Sequence, residues 1–213
     1  MNLYDMSITD YLTKLSSTSP TPGVGSAAAL TGAIGTSLAS MVANSTITKK
    51  QYARYESELQ AILAEFTQIK NELLNHIQKD AQATEAIIAA MSLPNATSSE
   101  SNARQEAIQA SLKQSIMIPL EIMNLCESAL KLCKKSMDKC NEAAISELAS
   151  ASVNLNSAIK TAFLDILVIV VSIKDNEFVF TFRKNSGALV SRAEALHKEI
   201  HSYCLSEMIK AGS

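Results

Sequence analysis

Apolar residues recur along most of the chain at three- and four-residue steps, the spacing of one helix face and not the alternation of a strand. From about Lys50 to Met91 the positions Leu59, Ile62, Phe66, Ile69, Leu73, Ile77 and Ala81 predict one long helix, roughly 60 Å if unbroken. A first helix is predicted from about Asn2 to Leu15, closed by the turn-forming SSTSPTPG. Gly25 to Asn44 reads GSAAALTGAIGTSLASMVAN. A helix of such small residues lets a neighbouring backbone approach closely, which predicts a place at the centre of a bundle.

LPNATSSES (93–101) ends the long pattern with Pro94 and cap-forming residues. Asn102 to Lys139 predicts a further helix, kinked at Pro119 because the ring replaces a backbone donor. Asn141 to Ile173 predicts another. In KDNEFVFTF (174–182) Phe178, Phe180 and Phe182 alternate, and the stretch reads as a link or a short turn. Lys184 to Lys210 predicts a final amphipathic helix.

Composition agrees with this pattern. Of 213 residues, 47% are hydrophobic and 5% aromatic, with six Gly and four Pro, too few turn formers for an all-β fold. The expected architecture is all-α: residues 1–213 as a single-domain bundle of long helices, with a second copy completing the core as a homodimer. A net charge of −2 provides no basic field for a phosphate backbone, so nucleic acid is not an expected partner. The longest apolar run, Ala162 to Ile173, is shorter than the roughly 20 residues a bilayer needs, so no membrane partner is expected. The N-terminal stretch has no signal-peptide pattern, and four Cys without short paired spacing read as reduced thiols. A cytoplasmic location is the expectation.

Leu59, Phe66, Leu73, Asp80 and Ile87 step by seven, so a carboxylate occupies the fourth place of an apolar row. Periodicity alone leaves two readings: the helix leaves the core near its end and Asp80 is solvated, or Asp80 is buried with a shifted pKa and serves as a general acid/base. The turn TPGVGS (21–26) offers backbone N–H groups at a helix start, as an N-cap turn or an anion site; it is neither a Walker loop nor a dinucleotide fingerprint. Cys126, Cys133 and Cys140 share a helix face without the further ligands of a zinc site, and His197 with His201 lacks the Glu of a metalloprotease motif. No metal ligand set is therefore assigned.

Residues 21–52, TPGVGSAAALTGAIGTSLASMVANSTITKKQY, resemble the opening of the cyclodeaminase/cyclohydrolase family, folate enzymes that include the cyclodeaminase half of formiminotransferase-cyclodeaminase. The resemblance continues through KDAQATEAIIAAMSLPNATSSESNARQEAIQ (79–109), IPL (118–120), NEAAISE (141–147) and SIKDNEF (172–178). It implies an all-helical dimer that acts on a tetrahydrofolate derivative at the carbon between N5 and N10. A cyclohydrolase hydrolyses 5,10-methenyltetrahydrofolate to 10-formyltetrahydrofolate. A cyclodeaminase closes 5-formiminotetrahydrofolate and expels ammonia. Both reactions pass through a tetrahedral carbon and need proton transfer without a metal or a further cofactor.

The resemblance implies that Asp80, which opens the family's acidic motif, is the general base and acid. It implies that Gly23, Gly25 and Ser26 shape the folate pocket, that Lys49 or Lys50 meets the glutamate tail, and that Asn141 and Ser146 face the pterin. Several positions depart from the family pattern: Val24 for a Gly, Thr48 for the Gly before the Lys pair, Thr84 for Phe, Cys140 for Gly, Glu147 for Asp, and Asp165 and Ile169 for two Asn. Val24 is expected to alter the pocket loop if positive φ is needed there. Asp165 brings a charge into an apolar helix, where it is expected to find a donor and to hold the amino edge of the pterin. The cyclohydrolase reaction is the first expectation, because no formiminotransferase segment accompanies the motifs. The alternatives are the cyclodeaminase reaction and a diverged, non-catalytic folate-binding or structural dimer.

Overall fold

The computed structural model describes residues 2–211, and among these every regular element is helical. Seven α-helices follow in order: α1 (Ile8–Leu15), α2 (Val24–Ile47), α3 (Glu56–Met91), α4 (Ser98–Ser115), α5 (Met117–Ser136), α6 (Ile145–Val170) and α7 (Asn176–Ala211). Short 3-10 turns precede α1 and α3 and lead into α6. Most of the buried apolar side chains belong to one core cluster.

Local chemistry sets the boundaries. The expected first helix is split, because Met6 is extended and the Ser7 hydroxyl accepts the Asp10 N–H, starting α1 afresh. Thr97 and Glu100 form a reciprocal capping box, so α4 begins inside the stretch expected to be a break. The kink expected at Pro119 is a full interruption. The proline ring excludes the Ser115 carbonyl, α4 ends there, and α5 restarts at Met117 with Pro119 in its first turn, where no donor is required.

The largest departure from expectation is at 174–182. Asp175 Oδ1 accepts the Phe178 N–H at 3.1 Å, and α7 runs from Asn176 onward without a link. The alternation of phenylalanines resolves as an i,i+4 pair, with the rings of Phe178 and Phe182 stacked at 4.6 Å, plus one exposed ring, Phe180.

Helix α2 lies between α3 and α6 and also touches α5, the central position its small side chains predict. A Cβ on Gly32 would stand 2.6 Å from Cys126 Sγ, and one on Gly35 would stand 2.9 Å from Leu155 and 3.1 Å from the Ala151 carbonyl oxygen. No larger residue fits without separating the helices. Because Gly35 meets Leu155 while Gly25 meets Asp165, α2 and α6 run antiparallel. Polar ties add register between other pairs: His76 Nε2 with Glu121 across α3 and α5, and the buried Glu127 with Arg192 across α5 and α7.

By length and composition, Val24–Ile47 and Glu142–Val170 could each cross a membrane. Here they pack on one another, and part of their outer faces stays exposed. Ile34 and Met41 on α2 and Val153, Leu164 and Val168 on α6 face outward, Val168 with 72% of its surface exposed. Helix α2 carries no charged residue at all.

Candidate active site

Where α2 begins, three helices enclose a cleft of about 190 Å³. Gly23, Val24 and Gly25 form its floor, α3 contributes Asp80, Thr84 and Ile87, α6 contributes Asp165 and Ile169, and Ser115 enters from the α4–α5 interruption. An adjoining cavity of about 410 Å³ shares Ala83 and Ser115 and is lined further by Lys79, Gln82, Gln114 and Glu121. Together they fall within the range of small-molecule sites, about 300–1,000 Å³.

Asp80 is buried, with 8% of its surface exposed, so α3 does not leave the core at the end of its apolar row. The Ser26 amide donates to Asp80 Oδ2 at 2.7 Å and the Ser26 hydroxyl lies 2.8 Å from the same oxygen. That hydroxyl is also 2.9 Å from the Ile77 carbonyl oxygen, and its single proton serves one acceptor or the other. The carboxylate thus occupies the positive end of α2, filling with a side chain of the protein the anion position that the TPGVGS turn suggested. Burial pushes the Asp80 pKa up, and the two Ser26 donors draw it partly back.

Asp80 Oδ1 receives no protein donor among the described residues. Gly25 explains how it can sit there: a Cβ on Gly25 would lie 2.1 Å from Asp80 Oδ1 and 3.0 Å from Asp165 Oδ2. The two carboxyl groups are therefore neighbours over one glycine. Burial and the charge of Asp80 push Asp165 up to about 6. The donor expected for Asp165 is not present among the described residues, and its carboxyl opens into the cleft. The expected distortion at Val24 is also absent. Val24 is the first residue of α2, and no described residue other than glycine has positive φ, nor does any described glycine.

Lys49, Lys50, Asn141 and Ser146 lie elsewhere. The Asn141 N–H donates to Thr46 Oγ1 at 2.9 Å, its side chain caps the following turn, and the Ser146 hydroxyl donates to Glu147. Lys49 and Lys50 are exposed just past the C-terminus of α2. The residues expected to form one site thus divide between the two ends of α2, about 36 Å apart along the helix. Within one chain they do not meet.

Two members of the cleft region escaped the sequence reading. Ser115, the last residue of α4, lines the cleft, and no motif marks it in the sequence. Tyr11 is 4% exposed, its hydroxyl has no hydrogen-bond partner, and burial followed by the charge of Asp80 raises its pKa to about 12. A lone tyrosine on a short helix carries no sequence signal for either feature. Outside the cleft, the four cysteines are buried and unpaired, and the His197 and His201 rings stand 5.3 Å apart on α7.

The sequence profile of the formiminotransferase-cyclodeaminase family matches residues 7–187. A methenyltetrahydrofolate cyclohydrolase from Methylorubrum extorquens is 32% identical over 201 residues, covering 94% of this chain and 97% of the relative. A formimidoyltransferase-cyclodeaminase from Sus scrofa is 28% identical over 184 residues, which cover 86% of this chain but only 34% of that longer protein. The crystal structure of formiminotetrahydrofolate cyclodeaminase from Thermotoga maritima superimposes with a TM-score of 0.82 at 21% identity, covering both chains completely, and shares the fold. With the profile spanning most of its length, the chain belongs to the formiminotransferase-cyclodeaminase family.

Proposed function

We propose that this protein is a one-carbon folate enzyme that hydrolyses 5,10-methenyltetrahydrofolate to 10-formyltetrahydrofolate. The observation that carries the reading is Asp80, a buried carboxylate with one oxygen held by Ser26 and the other bare at the floor of a cleft. The bridge of the substrate is an amidinium cation. The cleft lining supplies two carboxyl groups and no Lys, Arg or His, so it favours a cation. Asp80 accepts the proton of the attacking water as general base. The 32%-identical relative, matched along almost its entire length, supports hydrolysis ahead of deamination. Formiminotetrahydrofolate cyclodeamination, which uses the same tetrahedral carbon, is the second reading, supported by the formimidoyltransferase-cyclodeaminase relatives. Proton transfer suffices for either reaction, so no cofactor beyond the folate enters this proposal.

The divided motif residues are reconciled by a homodimer. The uncharged outer face of α2, and Val153, Leu164 and Val168 on the outer face of α6, where Lys160 is the exposed cation, leave apolar side chains uncovered. A two-fold axis perpendicular to α2 buries these faces and sets opposite helix ends together. The Lys49 and Lys50 end of a second copy then lies beside the Asp80 cleft, where cations meet the glutamate carboxylates. Residues 1–213 act as one domain in this reading, supported by the single core cluster. The unpaired buried thiols suit a cytoplasmic setting, the net charge of −2 gives no attraction for nucleic acid, and the second copy, not a lipid surface, covers the apolar face. Enzyme-dependent decay of methenyltetrahydrofolate absorbance above the buffer rate, absent in Asp80→Asn, is the test.

A further inference from the structure

The cleft holds two carboxyl groups that are treated unequally. Asp80 Oδ2 has two donors from Ser26, whereas Asp165 has none among the described residues. Both carboxyls face the space above Gly25, where a Cβ would meet an oxygen of each. The elements around them offer no neutralising cation. Helix α2 has no ionisable residue, α3 gives Asp80 itself, and α1 gives the Tyr11 hydroxyl on the Asp80 side. The α4–α5 interruption gives Ser115. Lys79 lines the adjoining cavity and not this cleft. Helix α7 pairs Glu194 with Lys160 and Asn156 farther along α6. Two adjacent carboxylates without a cation cannot both stay ionised cheaply.

We propose that Asp80 and Asp165 share one proton, and that Asp165, the member without donors, is a second catalytic residue that delivers it to the leaving nitrogen. This rests on the folate reading above and assigns Asp165 a role other than holding the pterin edge. Water adds to the bridge carbon, forming the C–O bond, while its proton passes to the Asp80 carboxylate and the cation becomes a neutral carbinol. Asp165 then protonates N5. The C–N5 bond breaks with its electron pair going to nitrogen, and the carbinol O–H closes to the formyl C=O as its proton returns to Asp165. Asp80 releases one proton to solvent, which balances conversion of a cation and water to a neutral product.

The pair titrates as a unit, with Asp165 holding its proton until about pH 6. The wild-type rate above background therefore falls at low pH as Asp80 gains a proton and at high pH as Asp165 loses one. In Asp165→Asn, an isosteric change, kcat falls at least tenfold, KM changes little and the alkaline fall disappears. An Asp165 that only bound the pterin would raise KM and leave kcat and the alkaline limb intact, and that outcome overturns the proposal. A second measurement does not depend on turnover. The infrared carbonyl band of a protonated carboxyl, identified by difference against Asp165→Asn, persists in wild type above the ordinary carboxylate range and titrates at lower pH in Asp80→Asn. If Asp165 titrates as an ordinary carboxyl, the shared proton is refuted even where the enzyme is active. If wild type accelerates neither folate reaction while this band behaves as expected, the folate reading fails and the shared proton stands.

Discussion

Gly25 lies directly beneath Asp80, so closely that a Cβ would stand 2.1 Å from Oδ1 and 2.7 Å from the carboxyl carbon. The glycine is required here for close approach and not for positive φ. Gly25→Ala should expel Asp80 from its place on Ser26 and reduce activity more than tenfold, with overpacking costing about 1–3 kcal/mol of stability. Gly23→Ala is the control, since its Cβ would lie 3.9 Å from Asp80 Oδ2 in ordinary contact. Thermal melts and rates for the two variants check the contrast.

Ser26→Ala removes the hydroxyl beside Asp80 Oδ2 and keeps the amide donor. A donor to a carboxylate lowers its pKa, so its loss raises it. The acid limb of the pH–rate profile should move to higher pH, and the rate at low pH should fall more than the rate at the optimum. An unmoved acid limb would assign that limb to another group.

Both cleft carboxyls have folded-state pKa values above their ordinary values. The native state then binds more protons than the unfolded chain, and stability is lost as pH rises from the ordinary carboxylate range through the folded pKa. For Asp165 that window runs from about pH 4 to about 6, and the loss is at most about 3 kcal/mol. Asp165→Asn should therefore melt above wild type at pH 8, and the advantage should vanish below pH 4. Calorimetry across that range gives the answer.

The Tyr11 hydroxyl is buried without a partner. Tyr11→Phe removes an unsatisfied group and should raise stability by about 1 kcal/mol with little change in rate. A large loss of rate would show that the hydroxyl meets the substrate.

Intersubunit complementation tests the dimer. Asp80→Asn and the double variant Lys49→Ala/Lys50→Ala should each lose activity, at least toward polyglutamylated substrate. Subunits that exchange randomly should recover about a quarter of wild-type activity, because half of the dimers are mixed and each mixed dimer keeps one intact site. If mixing restores nothing, the opposed-end arrangement is wrong, and Lys79 in the adjoining cavity is the cation available to the tail.

Helical periodicity made the bundle legible, and the Ala/Gly/Ser stretch pointed to the helix at its centre. The seven-residue row singled out Asp80 because a charge in an apolar row demands a physical account. What periodicity could not supply was depth: the same row fits a solvated or a buried Asp80, and only the contact with Ser26 and Gly25 decides. The disruption expected at Pro119 falls at Ile116, where the ring excludes the Ser115 carbonyl, whereas the Asp175 cap was missed because a single local hydrogen bond outweighs the alternation of the phenylalanines. Motif order along the chain also hid the 36 Å separation of its parts, since a long helix carries Gly25 and Lys49 to opposite ends of the fold.

The most direct test is the decay of methenyltetrahydrofolate absorbance with wild type and Asp80→Asn, each corrected for spontaneous hydrolysis in the same buffer. Acceleration by wild type that falls by at least about a hundredfold in kcat in Asp80→Asn, with the variant still cooperatively folded, is the expected result for a general base. An Asp80→Asn variant that hydrolyses the substrate as fast as wild type would contradict the role assigned to Asp80.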